Sequence, residues 1–323
     1  MRLSRWVALW MVLAMAMVAG VMFGTLHLST SDVWNGLLGI GAPMPVAVVR
    51  TLRLPRVLLA ALVGAGLGAA GAGLQGATRN RLAEPYLLGV SGGAAVGAVL
   101  AVTLHAPLAL VPLFGFIGAL GAVALTLLVA RASGGRGDAR VVLMAGVVVG
   151  AFANAAIMVS LANADASVLR GALWWMMGSV ADATWAQVRM LALFVLLGIG
   201  ALFAWARAID VLALGEDTAS GLGIDVNRVT LGVYVAGALL AAGTVSAAGL
   251  VGFVGLLVPH LVRLAGARTH RVIISAAALA GAALVVLADL LARVARPPAE
   301  LPLGAVTAII GVPFFLALLR RLA

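Results

Sequence analysis

An all-α integral membrane bundle is the fold class that this sequence predicts, and three observations carry it. The 323 residues are 64% hydrophobic and only 10% charged, with a mean hydropathy of +1.17, beyond what a soluble domain tolerates with its surface in water. The apolar stretches run for about 20 residues, the length that an α-helix needs to cross the hydrocarbon core. They lack the alternation of period two that a transmembrane barrel would show.

The first span, Trp6 to about Leu26, follows Arg2 and Arg5 as a signal peptide would. It is longer than a signal core and has no convincing small-x-small cleavage site, so it is expected to stay as the first helix. Further spans are expected at roughly 57–77, 87–104, 108–130, 141–162, 188–208, 229–249, 252–265, 272–294 and 304–320, about ten helices in one domain covering 1–323. The second span reads VGAGLGAAGAGLQG, with Gly64 and Gly68, then Ala72 and Gly76, spaced four apart. Small residues at that spacing let helix backbones approach closely, which places this helix in the middle of the bundle. In GTVSAAGLVGFVGLLVPH, residues 243–260, Gly243, Gly249, Gly252, Gly255 and Pro259 interrupt what should be a span. Irregular backbone at membrane depth is tolerated where protein or a cavity covers it, so a broken helix beside a pathway is expected.

All 21 basic residues are arginine. A P-loop needs its lysine to reach the phosphates, so a chain without lysine carries no standard P-loop ATPase, and any ATP hydrolysis must come from another subunit. With the N-terminus inside, fourteen of the 21 arginines fall at inner ends of spans, Arg136, Arg320 and Arg321 among them, as orientation by cytoplasmic arginine requires. Both termini are then cytoplasmic, and the net charge of +10 is explained without nucleic acid. The other seven are Arg50, Arg53, Arg56, Arg170, Arg189, Arg293 and Arg296. Three crowd into RTLRLPR, residues 50–56, with no acid nearby in sequence, and two into ARVAR, residues 292–296. They fit either arginines snorkelling to headgroups or a basic outer face for an acidic partner.

The longest inner polar interruption, RAIDVLALGEDTASGLGIDVNR at 207–228, mixes acids with Leu212, Leu214, Leu222 and Ile224. A mere linker needs no such apolar positions, so two short helices, broken at Gly221 and Gly223, are expected to offer a surface to another protein.

Catalysis is disfavoured. Gly89-Val90-Ser91-Gly92-Gly93 fits G-x-S-x-G, but Ser91 opens a membrane helix with no strand before it. His27, His105, His260 and His270 fall at span ends, not at the depth of Ser91, which argues against an intramembrane serine protease. There is no cysteine and no metal site is expected. An ion-coupled carrier usually shows buried carboxylates, whereas the acids here lie in loops or near span ends. Asp289 is the nearest exception, with Arg293 one turn away as a partner.

Five stretches together resemble the FecCD permeases, the membrane subunits of type II ABC importers for iron siderophores, haem and vitamin B12. They are RLPRVLLAALVGAGLGAAGAGLQG (53–76), RNRLAEPYLLGVSGGAAVGA (79–98), LALGEDTASGLGIDVNR (212–228), GLVGFVGLLVPHLVRL (249–264) and LADLLARVARPPAELPLGAVTAIIGVPFF (287–315). The resemblance implies a vitamin B12 permease-like bundle of ten helices in the bacterial inner membrane. It also implies a second copy of the chain, two ATP-binding cassette subunits that use the ATP and Mg, and a periplasmic binding protein. Carried over by motif, Arg53, Arg56 and Arg293 would dock the binding protein. Leu212, Leu214, Gly215, Glu216, Ala219, Leu222 and Gly223, within a segment of about 209–227, would couple to the ATPase. Asn80 and Leu82 would form a cytoplasmic gate, although Arg81 stands where the family usually has proline. Met144, Asn154 and Met158 would line the pathway, and Trp174 and Trp175 would belong to an outer helix at 169–179. No cofactor is implied for this chain. Among cargoes, haem is expected first on the prevalence of iron substrates, with a ferric siderophore or cobalamin as alternatives.

Overall fold

The computed structural model describes residues 1–134 and 138–319; Arg136, Arg320 and Arg321, counted above on the inner side, lie outside the described residues. Thirteen helices and no strand are found among the described residues. In chain order, α1 is Leu3–Met22, α2 Thr30–Leu38, α3 Pro43–Ala77, α4 Val90–Thr103, α5 Val111–Ala132 and α6 Ala139–Leu161. They are followed by α7 Ala166–Met177, α8 Trp185–Leu212, α9 Glu216–Gly221, α10 Val226–Ala248, α11 Val254–Leu264, α12 His270–Val294 and α13 Leu303–Leu319.

The ten expected spans divide into two kinds. Seven helices, α1, α3, α5, α6, α8, α10 and α12, are long and apolar enough to cross a membrane. The others, α4, α11 and α13, are shorter apolar helices, at 14, 11 and 17 residues. Two of them start from irregular backbone: α4 follows a tight turn over Pro85–Leu88 and α11 follows the segment 249–253. The expected break is therefore present, between Gly249 and Phe253, both in the left-handed region of φ. Hydropathy had no signal for α2, which Ser29 and Asp32 start with a reciprocal capping box.

Burial follows side-chain size. In the apolar window of α3, 78% of residues are buried inside the protein, against 22% for α1, so α3 is the central helix and α1 a peripheral one. Alanine and glycine on α3 let α8, α10, α11 and α12 close around it. Gly64 and Gly281 face each other so tightly that a Cβ on either would overlap the other's carbonyl oxygen. Gly281→Val should therefore force α12 off α3 at a cost of about 3 kcal/mol or more, the upper end for overpacking. Loss of a monodisperse peak in detergent would show it, and a wild-type melting curve would refute the packing argument.

After an opening α turn at Pro43–Ala47, α3 passes through one turn of π-helix over Val48–Arg53. The extra residue in that turn sets which arginines face out: Arg50 is exposed, whereas Arg53 is buried. For brevity, the end of the bundle that carries these arginines is called outer, after the arginine asymmetry, and the opposite end inner.

Candidate functional site

Two constellations stand out, one at each end. At the outer end, α1 stops at Met22, and a helix stop leaves four carbonyls without partners and the negative end of the helix dipole. Arginines from two other helices meet those groups. Arg53 donates through Nη1 to the carbonyls of Val21 and Met22, both at 2.8 Å, and through Nη2 to that of Leu26. Arg293, on α12, donates to the carbonyls of Gly20 at 3.2 Å and Phe23 at 3.3 Å.

Arg56 is held by two acids. Its Nε and Nη2 donate to Asp289 Oδ1 at 3.0 and 2.9 Å, and Nη1 and Nη2 donate to the two oxygens of Glu300 at 2.9 and 2.7 Å. Asp289 Oδ2 also faces Arg293 Nη2 at 3.1 Å. The side chains of Asp289 and Arg293 are 2% and 3% exposed, so this is an internal ion network and not a surface one. In sequence RTLRLPR has no acid nearby, and its arginines fit either snorkelling to headgroups or an acidic partner. Folding brings Asp289 and Glu300 to Arg56 from α12 and the loop after it, and turns Arg53 and Arg293 onto the end of α1. Only Arg56, 11% exposed, and Glu300, 31% exposed, keep an accessible edge. Asp32, on the neighbouring α2, accepts from the Ser29 hydroxyl and takes no part in the network.

That edge lines a cleft of about 770 Å³. Arg56, Asp289 and Glu300 form one side, and Trp174 and Trp175 of α7, Asp182 and Gln187 lie around the rest. Trp174 is exposed as an interfacial residue would be, whereas Trp175 is partly buried and packs against α4 and α5.

At the inner end, α8 runs on through Leu212, and a left-handed Gly215 starts the short α9. One short helix is present where two were expected. Gly223, at φ +82°, turns the chain back, and Asp225 Oδ1 accepts from the Arg228 amide to cap α10. Of the expected coupling residues, Leu212 and Ala219 are buried and anchor the element. Leu214 and Leu222 project into solvent at 68% and 64% exposure. An ion pair from Glu216 to Arg79 ties α9 to the loop after α3.

That loop contains the expected gate. Asn80 Oδ1 accepts from the Leu82 amide at 2.9 Å, and Leu82 is half exposed. Two clamps hold the loop on the broken segment: Glu84 accepts from the Phe253 amide at 3.1 Å, and Tyr86 Oη bonds both the amide and the carbonyl of Val251 at 3.1 Å. Burial pushes the Glu84 carboxyl above its ordinary range, offset in part by the Phe253 amide. The loop and the helix break thus form one unit, a link with no signature in sequence because 165 residues separate its partners. Gly89 to Gly93 packs against α5 and α6, and among the described residues no hydrogen bond joins Ser91 to a histidine.

On α6, Val142, Ala145, Gly146, Val149, Ala153 and Ile157 pack inward. Met144, Asn154 and Met158 lie on the opposite, exposed side.

Residues 12–321 match the FecCD transport family. The chain belongs to that family. This FecCD permease is 41% identical over 285 residues to the cobalamin import system permease BtuC of Halobacterium salinarum, covering 88% of this chain and 76% of that protein. It is 35% identical over 302 residues to the hemin transport system permease HmuU of Yersinia pestis, covering 92% and 90%. Its fold superposes with a TM-score of 0.87, at 29% identity and over 97% and 98% of the chains, on an inward-facing ABC transporter described as of metal-chelate type. It is therefore an importer permease of the class that serves iron chelates, haem or vitamin B12.

Proposed function

We propose that this FecCD permease passes a metal chelate across the bacterial inner membrane as one of two identical subunits, driven by two ATPase subunits and supplied by a periplasmic binding protein. The observation that carries the reading is the inner element from Leu212 to Asp225: a short helix pinned by Ala219 and Arg79, with two leucines directed away from the protein. Apolar tips on a fixed polar element suit a groove in another subunit, and a chain without lysine needs that subunit for ATP and Mg. An ion-coupled carrier is less well supported, since Asp289, the nearest candidate for a coupling carboxylate, is engaged by two arginines.

Receptor docking at the outer end is proposed to run through Arg56, the docking candidate with an accessible edge, by exchange of Glu300 for an acid of the binding protein. Arg53 and Arg293 then act as positioning residues that hold α1. Asn80 and Leu82 are proposed as the inner gate. The exposed side of α6 with Met144, Asn154 and Met158 is proposed to face the second copy and the pathway.

Haem is the first cargo on the sequence expectation, and the 41% identity to a cobalamin permease supports a corrinoid as the alternative. Proteoliposomes with the permease, its ATPase and its binding protein should take up one of haem, a ferric siderophore or cobalamin, and only with all three proteins and ATP. Uptake driven by an ion gradient without the ATPase would overturn the proposal.

A further inference from the structure

We infer that the outer end of α1 and α2 holds one phospholipid, its acyl chain in an apolar groove between the two helices and its phosphate on Arg50. The groove measures about 300 Å³ and is almost wholly apolar. Met17, Val18 and Met22 of α1 form one wall, and Val33, Trp34 and Leu37 of α2 form the other. Its position fits a lipid rather than a water-soluble ligand. α1 is the least buried of the spanning helices, and α2, at nine residues, is too short to cross.

The polar half of the site is attached to the same wall. Arg50 Nη2 donates to the carbonyl of Leu37 at 3.0 Å, and Leu37 lines the groove. The guanidinium lies so close over Gly39 that a Cβ there would collide with it, so the turn after α2 leaves room for this side chain. Unlike Arg56 and Arg293, Arg50 is exposed and forms no ion pair among the described residues. One of its five donors is used on Leu37, and the rest are available to an anion.

Two tryptophans fix the depth. Trp34, 64% exposed, lies in the groove wall, and Trp185, 42% exposed, donates its indole N–H to the Arg50 carbonyl at 2.9 Å. Tryptophan concentrates where hydrocarbon gives way to headgroups, so Arg50 stands at phosphate height with the groove running from it towards the acyl region. Cation, aromatic level and apolar groove together match an anionic phospholipid better than a zwitterionic one, because the phosphate charge is then unopposed by an amine in the same headgroup.

Native mass spectrometry of the full chain, released from micelles containing equal dioleoylphosphatidylglycerol and dioleoylphosphatidylcholine, tests this. The wild type should retain one phosphatidylglycerol per chain in preference to phosphatidylcholine. Arg50→Gln should reduce that preference about fivefold, the effect of one basic residue near an anionic surface. Val18→Trp, at an exposed wall position that folding tolerates, should lower retention of both lipids by obstructing the groove. Arg189→Gln, another exposed outer arginine, should change neither. Equal retention of the two lipids by the wild type, or unchanged retention in both groove variants, would overturn the assignment. So would loss of the lipid on dimer formation, which would give the groove to a second copy. The readout does not depend on transport, so its failure would leave the importer reading standing.

Discussion

Replacing Asp289 by asparagine is expected to cost about 3–5 kcal/mol of folding stability, the usual cost of removing one partner from a buried ion pair. The carboxylate is shared: it accepts from Arg56 and lies 3.1 Å from Arg293, and its side chain is 2% exposed. Asparagine keeps the shape and loses the charge, leaving two cations with Glu300 as the one remaining carboxylate of the network. Arg293 would then have only neutral carbonyls as partners, in a medium that screens poorly. Unfolding in a denaturing detergent, followed by tryptophan fluorescence, measures the loss. A double replacement, Asp289→Leu with Arg293→Met, should cost less than Asp289→Asn alone, because it removes both charges of one pair. If Asp289→Asn unfolds with the wild type, the network is not buried as described. The same geometry affects the obvious receptor test. Arg53→Glu would set an acid against the carbonyl end of α1, so lost transport in that variant would report a damaged helix contact as readily as a lost receptor. Glu300→Gln, in the exposed part of the network, is the cleaner probe of docking.

What could be read from the sequence was local or periodic. The small residues of α3 announced close approach, and the structure places Gly64 and Gly281 in backbone contact. The glycines of 243–260 announced a break, and Gly249 to Phe253 is one. Two features escaped because their cause is not local. The acids that meet Arg56 lie 233 and 244 residues away, so RTLRLPR reads as unpaired in the sequence. The π turn over Val48–Arg53 then decided which of them turned inward, and one inserted residue in a helix leaves no hydrophobic period to read. At the inner end, composition marked 207–228 as a surface for another protein. It could not separate Leu212 and Ala219, which anchor the segment, from Leu214 and Leu222, which leave it.

That separation supports the second large effect. Leu214→Asp with Leu222→Asp should abolish co-purification of the ATPase and ATP-dependent uptake while leaving the permease folded. Both side chains are more than three fifths exposed, and surface substitutions away from structural contacts change stability by about 0.5 kcal/mol at most. Their worth lies in the contact they would make. An apolar anchor seated in a pocket is commonly worth 2 kcal/mol or more on truncation, so losing two should weaken docking by about a thousandfold if they act independently. Aspartate adds a desolvation cost wherever the groove is apolar. Ala219→Asp is the informative contrast: Ala219 is fully buried, so that variant should lose the fold of α9 and lower the melting temperature. Coupling through projecting leucines requires the double variant to melt like the wild type and fail to hold the ATPase. A double variant that still retains the ATPase would move the docking surface elsewhere on the inner end, to the exposed charges of α9 or the loop around Arg79.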